Sequence, residues 1–192
     1  MNNAPGETTL MKQLEKQLFS PDAMDHALRD MVRDIASAYP PAEGGIALVG
    51  IHQLGVPLAE RLRDGLAACG ASETEFGKLD ISMYRDDIGN RNPLPLIRET
   101  EIDFDVNDKI IILVDDVLSS GRTIRAALDA LTDYGRPRMI RLAVLVDRGE
   151  PEYPIRADFI GFRVSLPPDR KVAVRFGDGN ASGGIFEVEW KK

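Results

Sequence analysis

The sequence predicts an α/β domain in which helices flank a central parallel sheet and the C-terminal part of the chain forms a small cap, or hood. Three observations lead there. Nearly continuous apolar runs at 46–51, 109–114 and 139–146 have the composition of strands buried on both faces. Helical patterns follow the first two runs, one marked by Leu54, Leu58, Leu62 and Leu66 and one spanning 123–134. Strand and helix then alternate through the middle of the chain, the order that closes into a parallel sheet by right-handed crossovers.

Taken in order, residues 1–9 are polar and carry Pro5 and Gly6, which predicts a frayed terminus. Leu10, Leu14 and Leu18 recur every four residues with Met11 and Phe19 beside them, which predicts a short amphipathic helix in an N-terminal extension over 1–20. Ser20-Pro21-Asp22 is a helix start: the hydroxyl caps free N–H groups, Pro fits the first turn and Asp suits the positive dipole end. That helix should run to about Tyr39, before Pro40-Pro41 closes it. After the strand at 46–51 and its helix, a second strand is expected from Leu79 to Tyr84. The stretch from Arg85 to Asn107 is charged and carries Asn92-Pro93 and Pro95, so it reads as a long mobile excursion, a length that is usually functional. The 123–134 helix ends at Gly135 before Pro137, and a further strand spans 139–146. Pro151, Pro154, Pro167 and Pro168 with short strand-like pieces suggest the hood over one edge of the sheet. The expected division is the extension at 1–20, a main domain with its hood at 21–176, and a tail strand within 177–192.

With 192 residues, 43% hydrophobic and 29% charged, the chain has the material for one globular domain. Its 24 Lys and Arg against 31 Asp and Glu give a net charge of −7, which excludes a uniformly basic surface for coating nucleic acid and leaves room for a local basic patch. Cys69 stands alone, so neither an intrachain disulfide nor a cysteine zinc cluster is available, and the cytoplasm is the expected compartment. Apolar runs fall well short of the roughly 20 residues of a membrane helix, and the first residues lack the basic-then-apolar order of a secretion signal.

The chemistry concentrates at 111–123. A buried strand emerges into Asp115-Asp116 at its C-terminal end, the side on which open α/β sheets place ligands. Val117, Leu118, Ser119, Ser120, Gly121, Arg122 and Thr123 then lead into a helix. Such a turn gathers backbone N–H groups and hydroxyls at a helix N-terminus, which makes a phosphate cradle. Carboxylates next to a phosphate must face another part of the ligand, so Asp115 and Asp116 either accept hydrogen bonds from sugar hydroxyls or help hold Mg²⁺. A phosphorylated sugar fits. A strand ending in Asp-Asp also occurs in receiver domains, but there it is the first strand, near the domain start. A nucleotide P-loop is rejected because no Gly-Lys-Ser/Thr follows.

Residues 111–123 resemble the phosphoribosyl pyrophosphate (PRPP) motif of type I phosphoribosyltransferases. Val49-Gly50-Ile51 with Gly55, Leu79-Asp80-Ile81 through Tyr84-Arg85-Asp86-Asp87, Gly135-Arg136-Pro137, and Leu142 through Asp147-Arg148-Gly149 are similar to the PyrR family, regulators of the pyrimidine operon with uracil phosphoribosyltransferase activity. The resemblance implies the type I phosphoribosyltransferase fold and a cytoplasmic enzyme, commonly a homodimer, that forms UMP and pyrophosphate from uracil and PRPP, with Mg²⁺ held mainly through PRPP. By the same resemblance, Asp115 and Asp116 contact the ribose hydroxyls and Ser119 to Thr123 the 5′-phosphate, with Val117 and Leu118 also among the substrate-binding residues. Arg85 would approach the pyrophosphate, consistent with guanidinium preference for phosphate oxygens. Arg148 and Ile160 match the base pocket in the hood, and His52-Gln53-Leu54-Gly55 matches the pyrophosphate loop. The family usually has Thr-Arg before that glycine, where this chain has Gln53-Leu54, a loss of a charge-assisted contact of roughly 1.5 to 3 kcal/mol. Glu150 and Glu152 stand where an RNA-binding member would want basic residues, which opposes RNA attenuation. The alternatives weighed beside the uracil enzyme are a UMP- or PRPP-sensing RNA regulator with little turnover and a purine phosphoribosyltransferase, since residues 158–162 also look like a purine-base stretch.

Overall fold

A computed structural model describes residues 15–40, 45–71, 73–86, 98–177 and 183–190. Five strands form a parallel sheet: β2 (Ile46–Ile51), β3 (Glu75–Leu79), β4 (Ile110–Leu118), β5 (Met139–Asp147) and β6 (Phe159–Arg163), in the order β3-β2-β4-β5-β6. The central strands are the apolar runs of the sequence, with β2 buried throughout and β4 buried from Ile110 to Asp115. Helix α1 (Pro21–Ala38) starts as expected, the Ser20 hydroxyl accepting from the Ala23 N–H at 3.2 Å. Together with α2 (Gly55–Ala68) it covers one face, burying Met31, Ile35, Leu58 and Leu62 against Leu48, Ile112 and Leu145. Helix α3 (Arg122–Thr132) covers the other, with Ile124, Ala127 and Leu131 against Val49, Ile111 and Val144. Among the described residues, no helix is long and apolar enough to cross a membrane.

Two glycines bring these layers together. A Cβ at Gly50 would lie 2.7 Å from the Val56 Cα, and one at Gly55 would run into the Val114 carbonyl oxygen. The start of α2 therefore touches β2 and β4 backbone to backbone, just before the acidic pair.

The structure corrects several expectations. Residues 15–19, expected at the end of a helix, form strand β1 (Glu15–Phe19), while Leu10, Met11 and Leu14 lie outside the described residues. β1 pairs antiparallel with β8 (Gly184–Glu189), and β8 with β7 (Arg170–Arg175), in a separate sheet ordered β1-β8-β7. The segments drawn as extension and tail thus join one hood, locked by Arg175, which donates to both carboxylate oxygens of Glu15 at 2.9 and 2.6 Å. The second strand ends at Leu79 rather than starting there, and Ser82–Tyr84 is a short 3-10 turn. β3 is an edge strand, so its half-buried positions accept Glu75 and Lys78 and its apolar signal is weak. Of the excursion, residues 87–97 lie outside the described residues, but 98–106 pack back on the body: Lys78 and Glu101 form an antiparallel bridge and Val106 is fully buried. Ile160 stands on β6 of the main sheet, not in the hood, because β6 continues the parallel register with Val144 opposite Ile160.

Candidate active site

The C-terminal ends of β2, β3 and β4 open into a cleft of about 490 Å³. The chain turns to opposite sides of the sheet after β2 and β4, so the cleft sits at a topological switch point, the ligand position of open α/β sheets. It is lined by the β2 turn (His52, Gln53, Leu54), by Asp80, Ile81 and Ser82 after β3, by Asp115, Asp116 and Val117 of β4, by Thr123 at the start of α3, and by Arg85 and Arg98. The His52–Gln53 peptide bond is cis.

Asp115 is 6% exposed, and its Oδ1 accepts the Asp116 N–H at 3.0 Å. Burial, and then the neighbouring Asp116 charge, push its carboxyl well above the usual range, and the opposing pull of Arg85 does not restore it. Burial likewise raises Asp116. A carboxyl pair held this far from its preferred ionisation is poised to receive donors or a cation.

Beyond Leu118 the chain turns through Ser119 and Ser120 to Gly121, whose φ of 87° lies in the left-handed region, and α3 begins without a side-chain cap. Apart from a 3.4 Å bond from the Arg122 N–H to Ser120 Oγ, its first N–H groups are left for an anion. The Ser120 carbonyl accepts the N–H groups of Glu152 and Tyr153 at 2.9 and 3.3 Å, which braces the turn from outside. Arg85 Nη1 reaches Thr123 Oγ1 at 3.4 Å. Its position follows from the 3-10 turn, where the Tyr84 carbonyl accepts from Arg125 Nη2 at 3.1 Å and the Tyr84 hydroxyl donates to Asp133.

Of the residues singled out from the sequence, Gln53, Leu54, Arg85, Asp115, Asp116, Val117 and Thr123 meet in the cleft. The Arg122 side chain turns outward and pairs with Asp86 at 2.6 Å and Glu152 at 3.0 Å. Arg148 and Ile160 lie on the β5 and β6 side, outside the cleft lining. Arg148 is 9% exposed, pairs with Glu150 at 3.1 Å, and donates its backbone N–H to the Leu118 carbonyl at 2.9 Å.

Residues 12–176 match the family model of the phosphoribosyl transferase domain. The chain is 46% identical over 174 residues to the bifunctional protein PyrR of a Roseiflexus species, covering 91% of this chain and 93% of that one. It is 47% identical over 179 residues to the Thermus aquaticus protein of the same name, covering 92% and 98%. The chain belongs to the PyrR family. Among solved structures, a hypoxanthine-guanine-xanthine phosphoribosyltransferase superposes with a TM-score of 0.67 over 93% of this chain and 96% of its own, at 15% identity. A hypoxanthine-guanine phosphoribosyltransferase of Bacillus anthracis gives 0.66 over 90% and 97%, at 16% identity. Likenesses that distant show the type I phosphoribosyltransferase fold of the PyrR family, and nothing about the base.

Sequence reasoning places Asp80 and Ser82 in a family-like stretch without giving them a role in the site, and does not single out Arg98. The Asp-x-Ser spacing after a strand, which suits a turn closed by a carboxylate, was the available signal for the first two. Arg98 has none, because what brings it to the cleft is a hydrogen bond to Asp80 across the whole excursion.

The raised Asp115 carboxyl has a measurable consequence for the ligand-free protein. In strong acid the folded and unfolded chains both hold its proton, and it does not affect stability. As pH rises the unfolded chain ionises first, so the folded state loses relative stability until Asp115 ionises too, after which the deficit is constant. Asp115→Asn is therefore expected to melt above wild type at neutral pH and to converge with it in acid, as followed by thermal denaturation. A neutral-pH melting point below wild type would remove the penalty assigned to this carboxylate.

Proposed function

We propose that the cleft transfers the phosphoribosyl group of PRPP to uracil, giving UMP and pyrophosphate. One observation carries the reading: an acidic pair at the end of β4 and an uncapped, glycine-started helix N-terminus stand in a single cleft, spaced by one turn. The N-terminus of α3 and Thr123 take the 5′-phosphate, and Asp115 and Asp116 take the ribose hydroxyls. Uracil N1 then forms its bond to the anomeric carbon as the bond from that carbon to the pyrophosphate oxygen breaks, and the N1 proton is lost. The carboxylates steady the cationic ribose, while Arg85 meets charge growing on the leaving group. Among the described residues no group of three or more His, Cys, Asp or Glu is placed to hold a metal ion. Mg²⁺ in this reading accompanies PRPP as part of the substrate, bound through PRPP oxygens with the Asp115 and Asp116 carboxylates within the same cleft.

The test offers uracil, orotate, hypoxanthine and guanine in parallel with PRPP and Mg²⁺. UMP from uracil is the expected product, and turnover restricted to a purine would replace the reading. The relatives are named bifunctional, and the resemblance to regulators of the pyrimidine operon makes regulation through RNA the second role. The charged surface resists it: Arg33 pairs with Asp30 at 2.9 Å, and Arg122 with Asp86 and Glu152. RNA titration at several salt concentrations, with and without UMP, examines that role.

A further inference from the structure

One carboxylate holds both ends of the excursion beyond Arg85. Asp80, directly after β3, accepts the Ser82 N–H at 2.5 Å and the Arg98 N–H, and its own N–H donates to Thr100 Oγ1 at 3.0 Å. Beside it, Lys78 and Glu101 exchange two backbone hydrogen bonds at 2.8 Å and add an ion pair at 2.7 Å. His52 Nε2 lies 3.3 Å from the Glu99 carbonyl, which ties the returning arm to the β2 turn as well. Burial alone would raise Asp80, but the donors from Ser82 and Arg98 outweigh it and hold the carboxyl below its usual range, so it is ionised and accepting at neutral pH. Residues 98–101 are thus fixed to the end of β3 at successive positions.

This arm brings a cation where the cleft is short of them. The described lining residues include three carboxylates, Asp80, Asp115 and Asp116, against two permanent cations, Arg85 and Arg98. The β2 turn contributes His52, Gln53 and Leu54, and Leu54 packs partly into the core instead of offering a charge. A departing pyrophosphate needs charge-assisted donors, and guanidinium groups are the side chains best shaped for its oxygens.

We propose that Arg98 is a second guanidinium ligand of the pyrophosphate group, alongside Arg85, and that Asp80 is the positioning residue that holds it there. This rests on the phosphoribosyl transfer reading above. Asp80 acts through the backbone of Ser82 and Arg98, so its effect on the anion is indirect and depends on the Arg98 side chain.

The experiment is calorimetric titration with magnesium pyrophosphate, and separately with PRPP and with UMP, of wild type, Arg98→Ala, Arg98→Lys, Asp80→Ala and the Asp80→Ala/Arg98→Ala double variant. Loss of one charge-assisted contact predicts roughly ten- to a hundredfold weaker pyrophosphate binding in Arg98→Ala, with partial recovery in Arg98→Lys. UMP affinity, which uses no pyrophosphate contact, stays at the wild-type value. Asp80→Ala weakens pyrophosphate binding in the wild-type background and much less once Arg98 is gone. Equal weakening in both backgrounds would overturn the positioning role. Unchanged pyrophosphate affinity in Arg98→Ala would overturn the ligand assignment while wild-type binding of PRPP kept the transferase reading. Wild-type protein that binds neither pyrophosphate nor PRPP would overturn both. Arg98 is exposed, so its variants keep the fold; Asp80→Asn, which keeps the side-chain volume, takes the place of the alanine variant should that one melt early.

Discussion

Asp116→Asn loses on the order of a hundred- to a thousandfold in kcat/KM with PRPP and uracil, the range seen when one preorganised electrostatic group is removed from a reacting centre. The substitution keeps the side chain's volume and leaves the Asp116 N–H on Asp115 Oδ1, so the end of β4 holds its path. What disappears is a negative charge facing the sugar as it gains positive character. Burial already disfavours that charge in the ligand-free state, so the variant should melt no lower than wild type. Steady-state kinetics with both substrates, beside a thermal melt, separate the two effects. Turnover at the wild-type rate would remove Asp116 from the ribose-binding role.

Gly55→Ala is the structural counterpart. The added methyl would meet the Val114 carbonyl oxygen and sit 3.2 Å from the Asp115 Cα. These are backbone atoms in the centre of the sheet, which no rotamer change can move aside. The start of α2 must lift from β4, with a destabilisation of about 1–3 kcal/mol, typical of overpacking a well-filled interior. The displacement falls on the residue before the acidic pair and on the β2 turn together, so PRPP affinity should fall with the melting temperature. A Gly55→Ala protein with unchanged melting and unchanged PRPP binding would contradict the close approach of α2 to β4.

The parts of the molecule legible in the sequence are those whose cause is local. β2, β4 up to Val114 and β5 from Leu142 to Val146 are buried on both faces and read as apolar runs, and the Ser-Ser-Gly turn leads into a helix. The signal over β1 is ambiguous for a definite reason: leucines four residues apart satisfy the repeat of a helix and, equally, the alternation of a strand. Only the pairing with β8 decides between them. The 3-10 turn at Ser82–Tyr84 has the pattern of a strand because Ile81 and Tyr84 are apolar and do pack on the α3-side core, in a conformation that periodicity does not report. In the cleft, Asp115 and Asp116 are visible as types in a pattern and Arg85 through the family resemblance, whereas Asp80 and Arg98 owe their places to contacts made across the excursion. Arg122 was grouped with the phosphate loop by its neighbours, yet the carboxylates of Asp86 and Glu152 draw its side chain away.

The small sheet that joins β1 to β8 has a consequence for how the polypeptide matures. During synthesis β1 is among the first strands to leave the ribosome, and its partner β8 is the last of the described strands to follow. Until then β1 is an unpaired edge, and Phe19 lacks the hood that frames its stack on Phe162, a contact of 3.9 Å between ring centroids. The parallel sheet can assemble on its own apolar strands, but the hood waits for chain completion, a long-range closure of the kind that slows folding and exposes edges. A nascent chain arrested before residue 184 would therefore display a nearly finished nucleotide-type sheet with an open flank, vulnerable to proteases and to pairing with other chains.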